Sequence, residues 1–144
     1  MNKSLLLALV GLLALGATAA STDPTAHELH TAQCVAALGA NTEELAVQIK
    51  TGKADLKPLL LDRLKNGAAF IGDAYLQGER DEARAKGLLN AALEAQKALP
   101  KDELSARQTR CAEEGAQLLA NADFISRAVV SRVAQKRMKK LLDG

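Results

Sequence analysis

The two cysteines are the residues of this chain whose chemistry is easiest to place. Cys34 and Cys111 each stand in an apolar row with helical spacing, Cys34 four residues before Leu38 and Cys111 seven residues before Leu118. Such rows are expected to face a core. In an oxidising compartment two cysteines most simply pair with each other. We therefore predict one disulfide between Cys34 and Cys111, which ties the first predicted helix to a late one.

Two histidines lie close to Cys34 in the sequence. His27, His30 and Cys34 fall within one narrow arc of the first predicted helix, because offsets of three and seven residues return to nearly the same side. Two imidazoles and a thiolate could bind a metal ion, with Asp23 or Glu28 nearby as a fourth ligand. A cysteine in a disulfide cannot supply a thiolate, however. This leaves a weak metal or ligand site at His27 and His30, and solvated histidines are the simpler interpretation.

The last predicted helix is distinctly basic and also carries apolar rows. A basic amphipathic helix at a C-terminus can bind an anionic membrane surface or an acidic partner. Cations near a helix C-terminus also complement the helix dipole, and apolar rows are what a core helix needs. We therefore expect a solvated cationic side and apolar rows turned to the core, with membrane or partner contact as the weaker alternative. The candidate contact residues are Arg127, Arg132, Lys136, Lys139 and Lys140.

Arrangements typical of enzymes are missing from the sequence. Both histidines lie in the N-terminal segment, and no candidate nucleophile stands in a strand-turn-helix setting. There is no glycine-rich phosphate loop and no C-x-x-C-H haem attachment. Glu113 and Glu114 are adjacent, so on a helix they point apart and do not form an acid/base pair. We predict a non-enzymatic protein without a cofactor.

Residues 1–20 have the layout of a cleaved secretory signal peptide. Lys3 precedes an apolar run over residues 5–15, and small residues follow up to the expected cleavage site after Ala19 or Ala20. The apolar run is shorter than the roughly 20 residues that a membrane-spanning helix needs. We predict a periplasmic or secreted protein that is soluble after cleavage.

The remaining segment, residues 21–144, has the length of one domain. One of the 19 Lys and Arg residues, Lys3, lies in the predicted signal peptide, so 18 cations face 17 acidic residues in the predicted mature chain. Near-neutrality disfavours a general nucleic-acid binder, which needs a concentrated positive field. The chain has no Trp, two Phe and one Tyr, which removes most stacking platforms for bases.

Helical periodicity runs through this segment, and we find no convincing strand. Residues 39–42 predict a kink or break in the first helix, and residues 121–123 leave open whether the last two helices are continuous. Gly67 and Gly72 are expected to permit close approach of a neighbouring helix. The predicted fold class is all-α, an antiparallel bundle of four to five helices with short loops and one disulfide. Short loops predict that helices adjacent in sequence pack as hairpins.

The segment GDAYLQGERDEA, from Gly72 to Ala83, resembles part of a tetratricopeptide repeat, in which G-x-x-Y closes one helix and an alanine on the next packs against it. The resemblance covers one hairpin, residues 67–100. Its turn is about one residue shorter than in that repeat, and no second copy follows at a period of about 34 residues. Because such arrays need at least about three units, a plain helical hairpin is favoured.

Small size, export, a disulfide and the lack of catalytic motifs favour a stoichiometric binder. We therefore predict an exported non-enzymatic protein-binding module of the cell envelope, for instance an inhibitor or immunity-type protein, whose partner is another envelope or secreted protein. The alternative is a small-molecule or metal binder that uses the bundle interior or the His27 and His30 end. Candidate charged contacts of the binder are Arg80, Arg84, Glu113 and Glu114.

Overall fold

The computed structural model describes residues 23–144, which form six α-helices and one short 3-10 turn over Ala54–Leu56. The helices are α1 (Ala26–Gly39), α2 (Thr42–Lys50), α3 (Lys57–Leu76), α4 (Glu82–Gln96), α5 (Lys101–Asn121) and α6 (Phe124–Asp143). No strand occurs in this part of the chain. The predicted all-α fold with short loops and one disulfide is confirmed. The predicted signal peptide, residues 1–20, lies outside the described residues.

Local features decide the two helix boundaries that the sequence left open. Asn41 separates α1 from α2 with φ of 62°, a left-handed conformation that Asn tolerates better than most residues, so the first predicted helix is broken rather than kinked. Asp123 separates α5 from α6, because its carboxylate accepts the Ser126 backbone N–H at 2.9 Å and caps the new helix. The last two helices are therefore distinct.

Three mutually packed helices, α1, α3 and α5, form the centre of the fold. His27 contacts Asp73 while Ala40 accepts a hydrogen bond from Arg63, so α1 and α3 run antiparallel. Helix α1 is also antiparallel to α5, as the disulfide and the flanking contacts between the two helices show. Helices α3 and α5 are consequently parallel to each other. Helix α4 packs on the outer side of α1, and α6 packs on α3.

The expectation that helices adjacent in sequence pack as hairpins is wrong for α3 with α4, α4 with α5, and α5 with α6. Instead α1 lies against both α3 and α4, so the segment 67–100 does not form the hairpin of a tetratricopeptide repeat. The physical reason is the small surface of α1. Ala32, Ala36 and Ala37 are buried there, and small side chains let three helices approach the same one. A short loop limits how far apart two helix ends can lie, but it does not decide which helix each of them packs against.

The close helix approach at a glycine is also not where the sequence predicted it. A Cβ atom on Gly72 would meet nothing within 4 Å, and one on Gly67 would lie 4.0 Å from Leu38 Cβ. A Cβ atom on Gly115 would instead lie 2.7 Å from Asn66 Cβ. Gly115 therefore sets the spacing of α5 and α3, and Gly67 and Gly72 do not mark close approaches.

Candidate functional site

The disulfide joins Cys34 on α1 to Cys111 on α5, with Cα atoms 5.3 Å apart, as predicted. Both sulfur-bearing residues are buried and pack with Ala37, Leu38 and Phe70. The bridge is thus part of the main apolar core and holds two of the three central helices together. A disulfide is compatible with an oxidising compartment.

His30 lies beside this bridge and connects the same two helices. Its Nε2 atom is 2.8 Å from Glu114 Oε2 on α5 and 3.8 Å from Cys34 Sγ. The imidazole edge packs against Phe70, with ring centroids 6.0 Å apart. His30 on α1 therefore forms a second link to α5, through Glu114, at the exposed side of the disulfide.

His27 connects the start of α1 to the end of α3 and the following loop. Its Nδ1 atom lies 2.6 Å from Glu79 Oε1, and its Nε2 atom lies 3.1 Å from Asp73 Oδ2. Only the protonated ring can donate from both nitrogens at once. The hydrogen bond to Glu79 is the main cause of a raised pKa of His27, with Asp73 adding to it and partial burial opposing it.

The stability that His27 contributes is expected to depend on pH. Because its pKa is raised in the folded state above the ordinary 6.5, the contribution is complete below that value and is lost as the pH rises through the folded-state pKa. His27→Gln should therefore lower the free energy of unfolding more at about pH 5.5 than at about pH 8.5, by less than about 1 kcal/mol, because the ring is 41% exposed and solvent screens the pairs. Urea unfolding of both proteins at both pH values measures this. An equal cost at both pH values would contradict a protonated contact.

The structure gives the two histidines different partners. His27 contacts carboxylates on α3 and in the α3–α4 loop, whereas His30 contacts α5. The metal-ligating atoms that do converge belong to His30, Cys34 and Glu114, all within 4.8 Å of one another. In the oxidised protein the Cys34 sulfur is bonded to Cys111 and is not a thiolate. This cluster therefore offers one imidazole and one carboxylate, and the proposed pairing of His27 with His30 as joint ligands has no support from their contacts.

The charged residues named as candidate contacts are mostly engaged within the fold. Arg84 on α4 donates to both carboxylate oxygens of Glu28, at 2.6 and 3.0 Å, which fastens α4 to the start of α1. This ion pair is the main cause that lowers the pKa of Glu28 to about 2. Arg80 lies over the Tyr75 ring, with its guanidinium carbon 4.7 Å from the ring centroid. Sequence reasoning missed the Arg84 contact, because the residues that meet are 56 positions apart.

Helix α6 does not turn all its apolar residues to the core. The row Val130, Ala134, Met138 and Leu141 packs inward as expected. The row Ile125, Val129 and Val133 instead faces solvent, with exposed fractions of 73%, 56% and 53%. The expectation that both rows are core-facing is therefore wrong. The signal was present in the sequence, because together the two rows span more of the helix circumference than the neighbouring helices α2 and α3 cover from one side.

The exposed row of α6 continues onto α3 across a groove. Leu76, at the end of α3, is 74% exposed and lines this groove with Ile125 and Val129. We call Leu76, Ile125, Val129 and Val133 the apolar face. The groove has a volume of about 350 Å³, and its other side is formed by the end of α5, chiefly Leu118, Leu119 and Ala122. We call it the α3–α5–α6 groove.

Cations extend the apolar face along α6. Arg132, Lys136 and Lys140 recur at steps of four and are exposed, and Arg132 follows Val129 at a step of three. These three cations therefore lie on the same side of the helix as the apolar face. Lys139 is also exposed and follows Arg132 by seven residues, so it lies at the edge of the same side, whereas the exposed Arg127 is directed to the opposite side by the helical rotation. Within residues 23–144 none of these five cations forms an ion pair.

A second groove lies at the His27 end of the fold, between α1, the end of α3 and the start of α4. It has a volume of about 490 Å³ and is lined by apolar residues such as Ile71, Ala74 and Leu88 together with Glu28 and Glu79. The groove lies where α3 and α4 both pack on α1. Its size is in the range of small-molecule sites.

No family model, curated protein or solved structure matches the chain. None of the helices within residues 23–144 combines the length and apolar character that crossing a bilayer requires.

Proposed function

We propose that this protein is an exported, non-enzymatic protein-binding module of the cell envelope that holds its partner on the apolar face of α3 and α6. The observation that carries this proposal is the exposure of Leu76, Ile125, Val129 and Val133, each more than half accessible and adjacent on two helices. A contiguous exposed apolar surface marks an interaction site, because leaving it in water is unfavourable and promotes aggregation.

The scaffold beneath this face supports a binding role. Helix α3, which carries Leu76, packs against α1, α5 and α6, and the disulfide joins α1 to α5. The face is therefore presented by helices with little freedom to rearrange, and a surface that is already ordered loses less entropy on binding. Such a rigid binder suits stoichiometric capture of another envelope or secreted protein, and an inhibitor or immunity-type role is the specific form that we propose.

Export is part of the proposal and rests on two features. Residues 1–20 have the arrangement of a secretory signal peptide, with one cation, an apolar run and small residues before the expected cleavage site. The Cys34–Cys111 bridge is compatible with the oxidising conditions outside the cytoplasm. N-terminal sequencing of the protein recovered from its source cells tests export, and an intact residue 1 in a cytoplasmic fraction would contradict it.

Removing the apolar face is expected to abolish partner capture without unfolding the protein. The double variant Ile125→Ser with Val129→Ser replaces two exposed side chains, so the free energy of unfolding should change by about 0.5 kcal/mol or less per site beyond helix propensity. Partner binding should fall at least about tenfold, because fully burying an Ile or Val side chain contributes about 1.5 kcal/mol or more, which serine does not supply. Quantitative pull-down from an envelope extract with the disulfide-bonded protein as bait measures both partner identity and stoichiometry.

Val47→Ser is the matched control for this experiment. Val47 lies on α2, outside the apolar face, and is 54% exposed, nearly the same as Val129. A specific partner should be retained by this variant and lost with the double variant. If the same proteins are captured by all three baits in equal amounts, the apolar face is not the docking site.

A second candidate function is small-molecule binding in the groove beside His27. Its volume of about 490 Å³ and its mixture of apolar walls with Glu28 and Glu79 are the observations that favour it. Arg84 and His27 already pair with these two carboxylates, so a largely apolar organic ligand would suit the groove best. A melting temperature that rises with ligand concentration would identify such a ligand, and metal salts added in the same assay test the His27 and His30 end directly.

A further inference from the structure

We infer that the partner presents an amphipathic α-helix, with acidic side chains following its apolar residues, and that this helix lies in the α3–α5–α6 groove. The inference rests on the proposed docking function and specifies the chemistry of the partner. Three features of the described residues carry it: the shape of the groove, the cations that extend it, and the carboxylates at its apolar end.

The shape of the groove fits a helix. Helices α5 and α6 both pack closely on α3 and have at most slight contact with each other, so an open channel remains between them. The small residues Ala69 and Gly72 of α3 contribute to its lining, between the bulkier side chains of the two flanking helices. A channel with apolar walls is the surface that an amphipathic helix fills with side chains at helical spacing. The wall residues are Leu118 and Leu119 on α5 and Ile125 and Val129 on α6.

The cations define the charge of the partner. Arg132, Lys136 and Lys140 continue the row of Ile125 and Val129 toward the end of α6, and none of them has an ion-pair partner among the described residues. The helix dipole accounts only for a cation in the last turn, because its effect falls off within that turn. Lys136 and Arg132 lie about two and three turns before the C-terminus of α6. Acidic side chains on the partner would complement them.

Carboxylates at the apolar end of the groove disfavour an anionic lipid surface as the occupant. Asp123 immediately precedes Phe124 and Ile125 and is exposed, and Asp73 contributes to the groove lining. The Ser126 backbone N–H lowers the pKa of Asp123, so this carboxylate stays ionised. Immersing Ile125 in an anionic membrane would bring that charge against lipid headgroups of the same sign. A partner helix meets the apolar residues from within the groove and avoids this repulsion.

The dimensions set the length of the partner segment. The row from Ile125 to Lys140 covers about 15 residues, or about 22 Å of helix. The bound helix should therefore have about four turns, with apolar anchors against the first half of α6 and acidic residues against the second half. A peptide of that length can be synthesised and used as a probe.

The test is a fluorescence-anisotropy titration of the disulfide-bonded protein with two synthetic peptides. Each peptide has about 16 residues, with Leu at helical spacing along one side. The two peptides differ only at positions beside the second half of that side, where one carries Glu and the other carries Lys. The Glu peptide should bind at least about tenfold more tightly than the Lys peptide, because two or three exposed ion pairs together supply about this factor. The preference should shrink as salt is added.

Matched variants locate the effect on the protein. Lys136→Gln with Lys140→Gln should weaken binding of the Glu peptide about tenfold and remove most of its advantage over the Lys peptide. Lys86→Gln with Lys101→Gln removes the same net charge from exposed positions at the starts of α4 and α5 and should leave binding unchanged. Val129→Ser should weaken both peptides, whereas Val47→Ser should weaken neither.

Three results would overturn the inference. Equal binding of the Glu and Lys peptides would exclude an acidic partner while leaving the apolar docking face intact, provided that the double variant Ile125→Ser with Val129→Ser still loses partner capture. Binding to phosphatidylglycerol vesicles that depends on Lys136 and Lys140, without peptide binding, would assign the surface to a membrane. Concentration-dependent dimerisation in sedimentation experiments that is lost in Val129→Ser would assign it to a second copy of the chain.

Discussion

Removing the disulfide is expected to lower the free energy of unfolding by about 4 kcal/mol, because the bridge closes a long loop and so restricts the unfolded chain strongly. The bonded residues, Cys34 and Cys111, are 77 positions apart. The double variant Cys34→Ala with Cys111→Ala tests this without leaving a free thiol. Urea unfolding followed by circular dichroism gives the free energies, and wild-type protein kept in reductant should unfold at nearly the same urea concentration as the double variant.

The disulfide also packs in the core, so its removal should have a second, smaller effect. Both cysteines belong to the main apolar cluster with Leu38 and Phe70, and replacing each sulfur with hydrogen leaves a small cavity there. The double variant should therefore be slightly less stable than reduced wild-type protein, which keeps both sulfur atoms. Thiol titration of unreduced wild-type protein is the control. Two reactive thiols under native conditions, or equal stability of oxidised and reduced protein, would contradict the bridge and its role.

Gly115→Ala is expected to destabilise the protein by about 1 to 3 kcal/mol, although alanine is the better helix former. The added Cβ atom would lie 2.7 Å from Asn66 Cβ and 3.0 and 3.1 Å from the backbone Cα and carbonyl oxygen of the same residue. Backbone atoms cannot move aside as the end of a flexible side chain can. Helices α3 and α5 would therefore have to separate, which loosens the packing around the disulfide.

Gly72→Ala is the matched control, because Gly72 lies inside α3 and an added Cβ atom there meets nothing within 4 Å. This substitution should stabilise the protein by up to about 1 kcal/mol through helix propensity alone. The two variants make the same chemical change with opposite expected signs. If Gly115→Ala is as stable as Gly72→Ala in urea unfolding, α5 and α3 do not approach each other as closely as the structure shows.

Features that depend on a few neighbouring residues could be predicted from the sequence. The break at 39–42 follows from residues that favour turns and left-handed backbone, and Asn41 adopts such a conformation. The possible start at Asp123 follows from the capping preference of Asp, which the contact with Ser126 fulfils. The disulfide was predictable for a different reason, since two cysteines allow only one pairing within the chain.

Contacts between distant residues could not be predicted in the same way. His27 meets Asp73 and Glu79, which are 46 and 52 positions away, and nothing in their local sequence indicates that meeting. The sequence likewise indicates close helix approaches at Gly67 and Gly72, whereas the close approach lies at Gly115. A glycine within a helical pattern does not reveal whether a neighbouring helix lies against it. The groove of the candidate site could not be predicted for the same reason, since residues from three helices form it.

The sequence by itself determined the helical character of the chain, the interruption at 39–42 and the single bridge between Cys34 and Cys111, because propensity, turn preference and cysteine pairing act locally or without alternatives. The tertiary structure decided which helices pack together and therefore which apolar row of α6 reaches solvent. The two rows of that helix are similar in hydrophobicity, so only the positions of α2 and α3 distinguish buried Ala134 from exposed Val129. Burial depends on what lies opposite a side chain, and that is a property of the whole fold.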